Sequence, residues 1–329
     1  MSTLTEALRA EAKEWNVKSS PREKKEWVEI PIFIHGISPD KDPGTGEEEY
    51  LQLLGLVNEK MKAHPGKGFS DEKIFVTWGV PTGQSRAKGT DQYLAEVERK
   101  IQAKVKEAMG SAYTNPFGLT GHVRDLLFFG MSDLTYYISA DGERDLRNHV
   151  FTYISKKIRQ LDKRNGDYFS LTIFGHSAGS VIAHDLLFHL FTARARRNEA
   201  EADADYCEEI EVLRGMIEQG RLRVRRLYTF GSPISLLILR ASSLVNKIRA
   251  GELFQPRAIG FKNDDLLGAP RWVNFWTRHD LISYPVSFLY ENEDGLIKDH
   301  HISSPISPIS AHTAYWTSDE MTEYVAKSF

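Results

Sequence analysis

The sequence predicts an α/β fold, in which a mostly parallel β-sheet is covered by helices on both faces. Three observations lead to this class. Short apolar runs bounded by turn residues alternate along the chain with longer stretches that have apolar residues at helical spacing. No segment repeats within the 329 residues. No linker rich in Gly, Ser or Pro divides them, so we expect one domain with insertions rather than the two that the length alone suggests.

The predicted strands and helices follow one another in the order that this class requires. The apolar runs that predict strands are residues 28–34 (broken by Pro31), 74–78, 169–174, 222–230 and 272–277. The stretches that predict helices are residues 50–61, 90–109, 144–161, 178–191 and 234–248. Strands that alternate with helices in this way favour a parallel sheet covered on both faces.

Several segments depart from this alternation. Residues 1–27 are predicted to be an N-terminal helical extension, and residues 28–329 a single domain. Residues 194–211 turn from basic to acidic and are interpreted as a solvated insertion rather than a partner-binding tail. Residues 303–312 hold two prolines and are expected to form an irregular surface loop. Two further insertions, long enough to form a cap, are residues 112–137 and 236–268.

Composition and charge exclude several classes of protein. The 42 Lys and Arg residues nearly balance the 45 Asp and Glu residues, so the clustered basic excess of a nucleic-acid-binding protein is absent. A single cysteine, Cys207, excludes an intramolecular disulfide framework. No apolar run has the length of a secretory signal or of a transmembrane helix, so we expect a cytoplasmic protein without a membrane span. The sequence lacks the His-Glu-x-x-His motif of zinc enzymes, so no metal site is expected.

The most informative motif is a serine on a predicted strand-to-helix turn. An apolar strand runs into Gly175-His176-Ser177-Ala178-Gly179, and a helix follows. A serine on such a turn projects its hydroxyl away from the backbone in a strained conformation, and the flanking glycines leave the space that this requires. The helix N-terminus stabilises negative charge, so the Ala178 N–H is a candidate oxyanion donor. The pattern favours Ser177 as a nucleophile over a structural serine or a phosphate-binding turn, which carries a different glycine spacing.

A nucleophilic serine needs a base and an orienting acid. In sites built on this turn, the acid follows the serine in the chain and the histidine follows the acid. Asp280 lies just past a predicted strand, at the edge of the sheet where ligands bind, and His312 lies in a loop further along. We predict that Asp280 is the acid and His312 the base. Alternatives remain open: Asp264, Asp265 and Asp299 for the acid, and His300 and His301 for the base.

A second oxyanion donor is expected on the loop that follows the first strand. That strand ends at His35-Gly36, and a long loop rich in Gly and Pro comes next. Gly36 lets the backbone turn toward the nucleophile, and the N–H of Ile37 is the candidate donor. His35 is interpreted as a hydrogen-bonded residue that stiffens this loop rather than as a catalytic group.

These segments resemble the lipase- and esterase-like serine hydrolases of the α/β-hydrolase superfamily. The resemblance rests on the Gly175–Gly179 turn and on looser motifs, which are Phe33-Ile34-His35-Gly36, Tyr228-Thr229-Phe230-Gly231-Ser232-Pro233, the segment from Val273 to Asp280, and His312 with Tyr315-Trp316. It covers residues 28–318. Members of this superfamily carry two strands before the His-Gly strand. The resemblance therefore implies that the sheet lacks one or both of these first edge strands here.

The resemblance also implies a reaction, which is ester hydrolysis through an acyl-enzyme. Ser177 attacks the carbonyl, His312 takes and returns the proton, and Asp280 holds the imidazole tautomer. The expected substrate is a small-molecule ester or lipid, and no cofactor or metal is expected. Two alternatives stay open. One is thioester, lactone or amide cleavage by the same triad, and the other is a non-catalytic binding protein with this fold.

Overall fold

The computed structural model describes residues 26–36, 46–62, 69, 71–76, 78, 140–162, 167–191, 204–238, 254–261 and 270–328. Within these ranges the strands are β1 (Trp27–Ile34), β2 (Ile74–Val76), β3 (Tyr168–His176), β4 (Leu222–Phe230), β5 (Trp272–Trp276) and β6 (Ile297–His301). The helices are α1 (Glu47–Met61), α2 (Ala140–Leu161), α3 (Ala178–Phe191), α4 (Ala204–Glu218), α5 (Ile234–Ile238), α6 (Pro308–Thr313) and α7 (Asp319–Lys327). Short 3-10 helices occur at Pro256–Ile259, Ser287–Leu289 and Ala314–Thr317.

The six strands form one sheet in the order β2-β1-β3-β4-β5-β6, and every neighbouring pair is parallel. The chain passes from β1 to β2 on one side of β1 and then to β3 on the other side, so the strand order reverses between β1 and β3. In open parallel sheets, ligands bind at this reversal point, beyond the carboxyl ends of the strands. Gly36 follows β1 and Ser177 follows β3, so both residues lie at that point.

Apolar side chains cover both faces of the sheet. On one face, Ile32 of β1 and Ile173 of β3 belong to a buried cluster that includes residues of α2, α3 and α4. On the other face, Phe33 and Phe174 pack with residues of α1 and α7. Successive residues of a strand point to opposite faces, so a strand buried on both sides is apolar at consecutive positions. The predicted parallel sheet with helices on both faces is confirmed.

Two predicted interruptions of the regular structure are wrong. β1 runs through Pro31 without a break. Because β1 pairs with β2 only from Ile32 onward, the missing N–H of Pro31 removes no bond from that pairing. The irregular loop predicted over residues 303–312 contains the start of α6. Pro308 lies in the first turn of this helix, where a backbone N–H has no intrahelical acceptor in any case.

The segment interpreted as a solvated insertion (residues 194–211) is helical in its described part. Residues 204–211 begin α4, and the apolar side chains of Ile210, Leu213 and Met216 are buried. These three residues recur at nearly one helical turn, so they form a buried stripe on a helix in which half of the other residues are charged. The sequence predictions also omitted β6 and α7.

Some predictions lie outside the described residues. These are the N-terminal extension up to residue 25, the insertion at 112–137, the helix at 90–109 and residues 194–203. Of the insertion at 236–268, only residues 236–238 and 254–261 are described. None of the described helices is long and apolar enough to cross a lipid bilayer.

Candidate active site

Ser177 occupies the turn between β3 and α3, and its backbone is strained. Its φ is +51°, and among the described residues it is the only non-glycine residue with a positive φ. Such a conformation persists only when the surroundings hold it, and it is concentrated at functional sites. Here the Ser177 N–H donates to the carbonyl of Phe230 (2.9 Å), and the Ser177 carbonyl accepts from the N–H of Ser180 (3.0 Å). Both hydrogen bonds fix the turn on which the hydroxyl is presented.

Two glycines allow α3 to pack close to the ends of the strands. A Cβ at Gly175 would lie 2.7 Å from the Cα of Ser180. A Cβ at Gly179 would lie 2.2 Å from the carbonyl oxygen of Ile34, at the end of β1. Carbon atoms do not approach that closely, so only glycine fits at either position. The predicted role of these glycines as space for the turn agrees with these contacts.

His312 and Asp280 form a buried hydrogen-bonded pair. The Nδ1 of His312 lies 2.9 Å from the Oδ2 of Asp280. The other carboxylate oxygen, Oδ1, accepts from the backbone N–H of Ile282 (3.2 Å). Because a carboxylate accepts hydrogen bonds, this contact assigns the imidazole proton to Nδ1 and leaves Nε2 with a free lone pair. The pair is therefore arranged as a base with its orienting acid.

Close contacts connect the His312–Asp280 pair to the Ser177 turn. His176 precedes Ser177 in the chain, and its ring centroid lies 4.7 Å from that of His312. Gly231, which follows β4, has a φ of +61°, and a Cβ there would lie 2.9 Å from the Cε1 of His312. The preceding residue, Phe230, accepts the hydrogen bond from Ser177. The ends of β3 and β4 thus bring the serine turn and the imidazole into one buried group.

The alternative acids and bases have other partners. Asp299 accepts hydrogen bonds from the backbone N–H groups of residues 286 (2.8 Å) and 287 (2.9 Å), so its carboxylate holds the connection between β5 and β6. His300 and His301, on β6, each pack against an aromatic residue of β5. Asp264 and Asp265 lie outside the described residues. Of the candidates that are described, Asp280 and His312 contact each other.

The loop that follows β1 reaches the serine turn. A Cβ at Gly36 would lie 2.7 Å from the Cβ of Ser177, so the backbone at Gly36 passes directly beside the serine. Ile37, the predicted oxyanion donor, lies outside the described residues. Ala178 begins α3, where the first N–H groups of a helix have no intrahelical acceptor and stabilise negative charge.

His35 is a hydrogen-bonded residue, as the sequence predicts. Its Nδ1 bonds the carbonyl of Gly36, and its Nε2 accepts from the backbone N–H of Trp78 (3.1 Å). The indole N–H of Trp78 donates in turn to the carbonyl of His35 (2.6 Å). Burial lowers the pKa of His35, so the ring stays neutral with its proton on Nδ1. His35 therefore has both ring nitrogens engaged in holding the start of the loop.

Sequence reasoning placed Tyr315 and His176 in its motifs but missed their contacts with the His312–Asp280 pair. The hydroxyl of Tyr315 donates to the Oδ2 of Asp280 (3.0 Å), and burial together with this carboxylate raises the pKa of Tyr315. The Nε2 of His176 lies 3.1 Å from the carbonyl oxygen of His312. Tyr315 is three residues after His312, and this helical spacing was the one signal available. No sequence spacing connects His176 with His312.

Sequence comparison assigns no family to this chain. No family model matches it, and no curated protein has a significantly similar sequence. The contacts around Ser177, His312 and Asp280 are the features that bear on function. Within the described ranges, no three His, Cys, Asp or Glu side chains are grouped as a metal ion requires.

Proposed function

We propose that this chain is a serine hydrolase with an α/β-hydrolase fold that cleaves carboxylic esters. One observation carries the proposal: Ser177 has a positive φ on the turn from β3 to α3, and the residue before it, His176, packs its ring 4.7 Å from that of His312 in a buried His–Asp pair. The strained backbone of Ser177 and the burial of the Asp280 carboxylate each cost free energy of folding. Features with such a cost are concentrated at functional sites. The reversal of strand order between β1 and β3 supports the same location for a ligand.

The proposed reaction assigns one step to each group. The Oγ of Ser177 attacks the ester carbonyl carbon while the Nε2 of His312 takes the hydroxyl proton. The tetrahedral intermediate then expels the alcohol, which receives that proton from His312, and an acyl-enzyme remains. Water then attacks the acyl carbon while the Nε2 of His312 takes its proton. The bond between the acyl carbon and the Oγ of Ser177 breaks, His312 returns the proton to that Oγ, and the acid product leaves. Asp280 holds the Nδ1–H of His312 and stabilises the imidazolium.

Negative charge on the substrate oxygen is stabilised by backbone donors in this proposal. The Ala178 N–H lies at the N-terminus of α3, directly after Ser177. The second donor is the N–H of Ile37, as the sequence predicts. One such donor contributes about 3 kcal/mol to the stability of the transition state in hydrolases where it has been removed.

Esters are proposed as the substrates because the lipase- and esterase-like serine hydrolases, which the Gly175–Gly179 turn resembles, cleave them. The alternative is hydrolysis of thioesters, lactones or amides by the same three residues. The charge of −3 over 329 residues fits a neutral or apolar substrate. The cytoplasmic location predicted from the sequence is part of the proposal, and no cofactor takes part in its steps.

Substrate preference is tested with matched compounds that share one acyl group. The ester, thioester and amide of the same acid are compared by kcat/KM, followed by a series of p-nitrophenyl esters of increasing chain length. The proposal expects turnover of the ester to be the fastest and to be lost in Ser177→Ala. Faster turnover of the thioester or amide would favour the alternative chemistry. Absence of turnover for all three, with no reaction toward a fluorophosphonate, would favour a non-catalytic binding protein.

A further inference from the structure

The side chain of His176 contacts the main chain of His312, the base of the proposed site. The Nε2 of His176 lies 3.1 Å from the carbonyl oxygen of His312, and a carbonyl oxygen accepts, so the His176 Nε2–H donates. The two ring centroids are 4.7 Å apart and the rings are tilted by 38°. His176 thus touches the backbone and the ring of His312 at once. The two residues are 136 positions apart in the chain, so this contact joins the serine turn to α6.

His176 keeps one protonation state in this position. Burial and the neighbouring charge of His312 lower the pKa of His176 well below its usual value, and His35 acts in the same direction. A Cβ at Gly36 would lie 3.0 Å from the Nδ1 of His176, so this nitrogen faces the loop after β1. The ring is therefore neutral, with its proton on Nε2. In this tautomer it can donate to the His312 carbonyl throughout the neutral pH range.

The packing around His176 leaves it little freedom to move. Its ring contacts Phe230 (5.2 Å between centroids) and Trp316 (4.7 Å). On another side, a Cβ at Gly231 would lie 3.3 Å from the Nε2 of His176 and 2.9 Å from the Cε1 of His312. The two imidazoles therefore share one buried space whose walls are aromatic rings and a glycine. A shift of one ring displaces the other.

We propose that His176 is a positioning residue that fixes the backbone of the His312 base next to the Ser177 turn through the Nε2–H···O=C bond. This inference rests on the proposed function. α6 has only six residues, and its C-terminal carbonyl groups have no N–H donors within the helix to hold them in place. The hydrogen bond from His176 fixes one of these carbonyls, that of His312 itself. Asp280 orients the ring of His312 from Nδ1, and His176 sets where its backbone lies.

Two substitutions separate the hydrogen bond from the ring. His176→Phe keeps a flat ring but removes the N–H, and we expect kcat to fall by about tenfold with KM nearly unchanged, the loss equivalent to one hydrogen bond. His176→Gln keeps an N–H donor at nearly the position of Nε2, and we expect it to restore most of kcat. His300→Phe, a matched change on β6 outside the site, is the control and leaves kcat unchanged. Active sites are counted by fluorophosphonate titration, so unfolded protein does not lower the measured kcat.

The opposite pattern would overturn the inference. If His176→Gln loses as much kcat as His176→Phe, the ring and not the N–H supports His312. If His176→Phe keeps its kcat, the residue has no positioning role.

A second measurement distinguishes failure of this inference from failure of the proposed function. The proton between His312 Nδ1 and Asp280 gives a low-field NMR resonance that requires no substrate. We expect this resonance to move or broaden in His176→Phe and to stay in place in His176→Gln and His300→Phe. An unchanged resonance in His176→Phe overturns the positioning role. A wild-type chain that hydrolyses no acyl compound and takes up no fluorophosphonate overturns the proposed function instead.

Discussion

Replacement of Gly179 by alanine tests the close contact between α3 and β1. The added Cβ would lie 2.2 Å from the carbonyl oxygen of Ile34 and 2.3 Å from that of His35. Both neighbours are backbone atoms, so no side-chain rotation relieves the overlap. The N-terminus of α3 must move away from β1 by about the missing ångström, and Ser177 moves with it. A displacement of this size at a reacting group costs about 100-fold in rate.

We expect Gly179→Ala to destabilise the protein, although alanine has a higher helix propensity than glycine. Alanine is favoured over glycine inside a helix by about 1 kcal/mol. Overpacking of a filled site costs about 1–3 kcal/mol, and more where backbone must shift. We therefore expect Gly179→Ala to lower the free energy of unfolding by about 2 kcal/mol. Gly215→Ala in α4 is the matched control, because nothing lies within 4 Å of its Cβ position. It should raise the free energy of unfolding by about 0.5–1 kcal/mol.

Urea denaturation followed by tryptophan fluorescence measures both variants, and ester hydrolysis measures the effect on the site. The reasoning is refuted if Gly179→Ala is as stable as the wild type, or if it keeps the wild-type kcat/KM. A loss of stability in Gly215→Ala would show that the contacts at the two glycines do not account for the difference.

Three further predictions concern the acid and the buried histidine on α3. Asp280→Asn removes the acceptor that holds the Nδ1–H tautomer of His312, and kcat should fall by about 10,000-fold with the fold intact. Tyr315→Phe removes one donor from the buried Asp280 carboxylate, and urea denaturation should show a loss of about 1.5 kcal/mol. Burial lowers the pKa of His184 to about 4, so the unfolded chain binds more protons than the folded one between about pH 6.5 and 4. His184 therefore costs no stability above that window and about 3 kcal/mol at its acid end. His184→Gln, which can still form a hydrogen bond with Tyr290, should flatten this pH dependence.

Each of these predictions has a result that would contradict it. Wild-type kcat in Asp280→Asn would remove Asp280 from the reaction. A Tyr315→Phe variant as stable as the wild type would mean that its hydroxyl adds nothing to the carboxylate. If His184→Gln and the wild type show the same pH dependence of unfolding, other groups take up the protons. His35 and His176 also have lowered pKa values.

The central strands could be predicted from the sequence because they are buried on both faces. The predicted range 222–230 is that of β4, and 28–34 and 169–174 fall within β1 and β3. β6 was missed because four of its five residues are polar and only Ile297 is buried. α4 was missed because its buried stripe lies among many charges. An apolar run predicts a strand only where the sheet is covered on both sides.

The candidate site was predicted in part for a different reason. The order of the residues in the chain and their place at the carboxyl edge of the sheet pointed to Asp280 and His312. In the structure, the Nδ1 of His312 lies 2.9 Å from the Oδ2 of Asp280. The contacts of His176 and Tyr315 depend on how rings pack between distant segments. Neither periodicity nor spacing carries that information. The second oxyanion donor, Ile37, stays a prediction.

The reactivity of Ser177 is the central claim, and covalent labelling measures it directly. The wild-type chain is treated with a fluorophosphonate, and the modified peptide is identified by mass spectrometry. The account predicts a single adduct on Ser177, with no labelling and no ester hydrolysis in Ser177→Ala. Labelling of Ser177→Ala at the wild-type rate, or an adduct on another residue in the wild type, would contradict it.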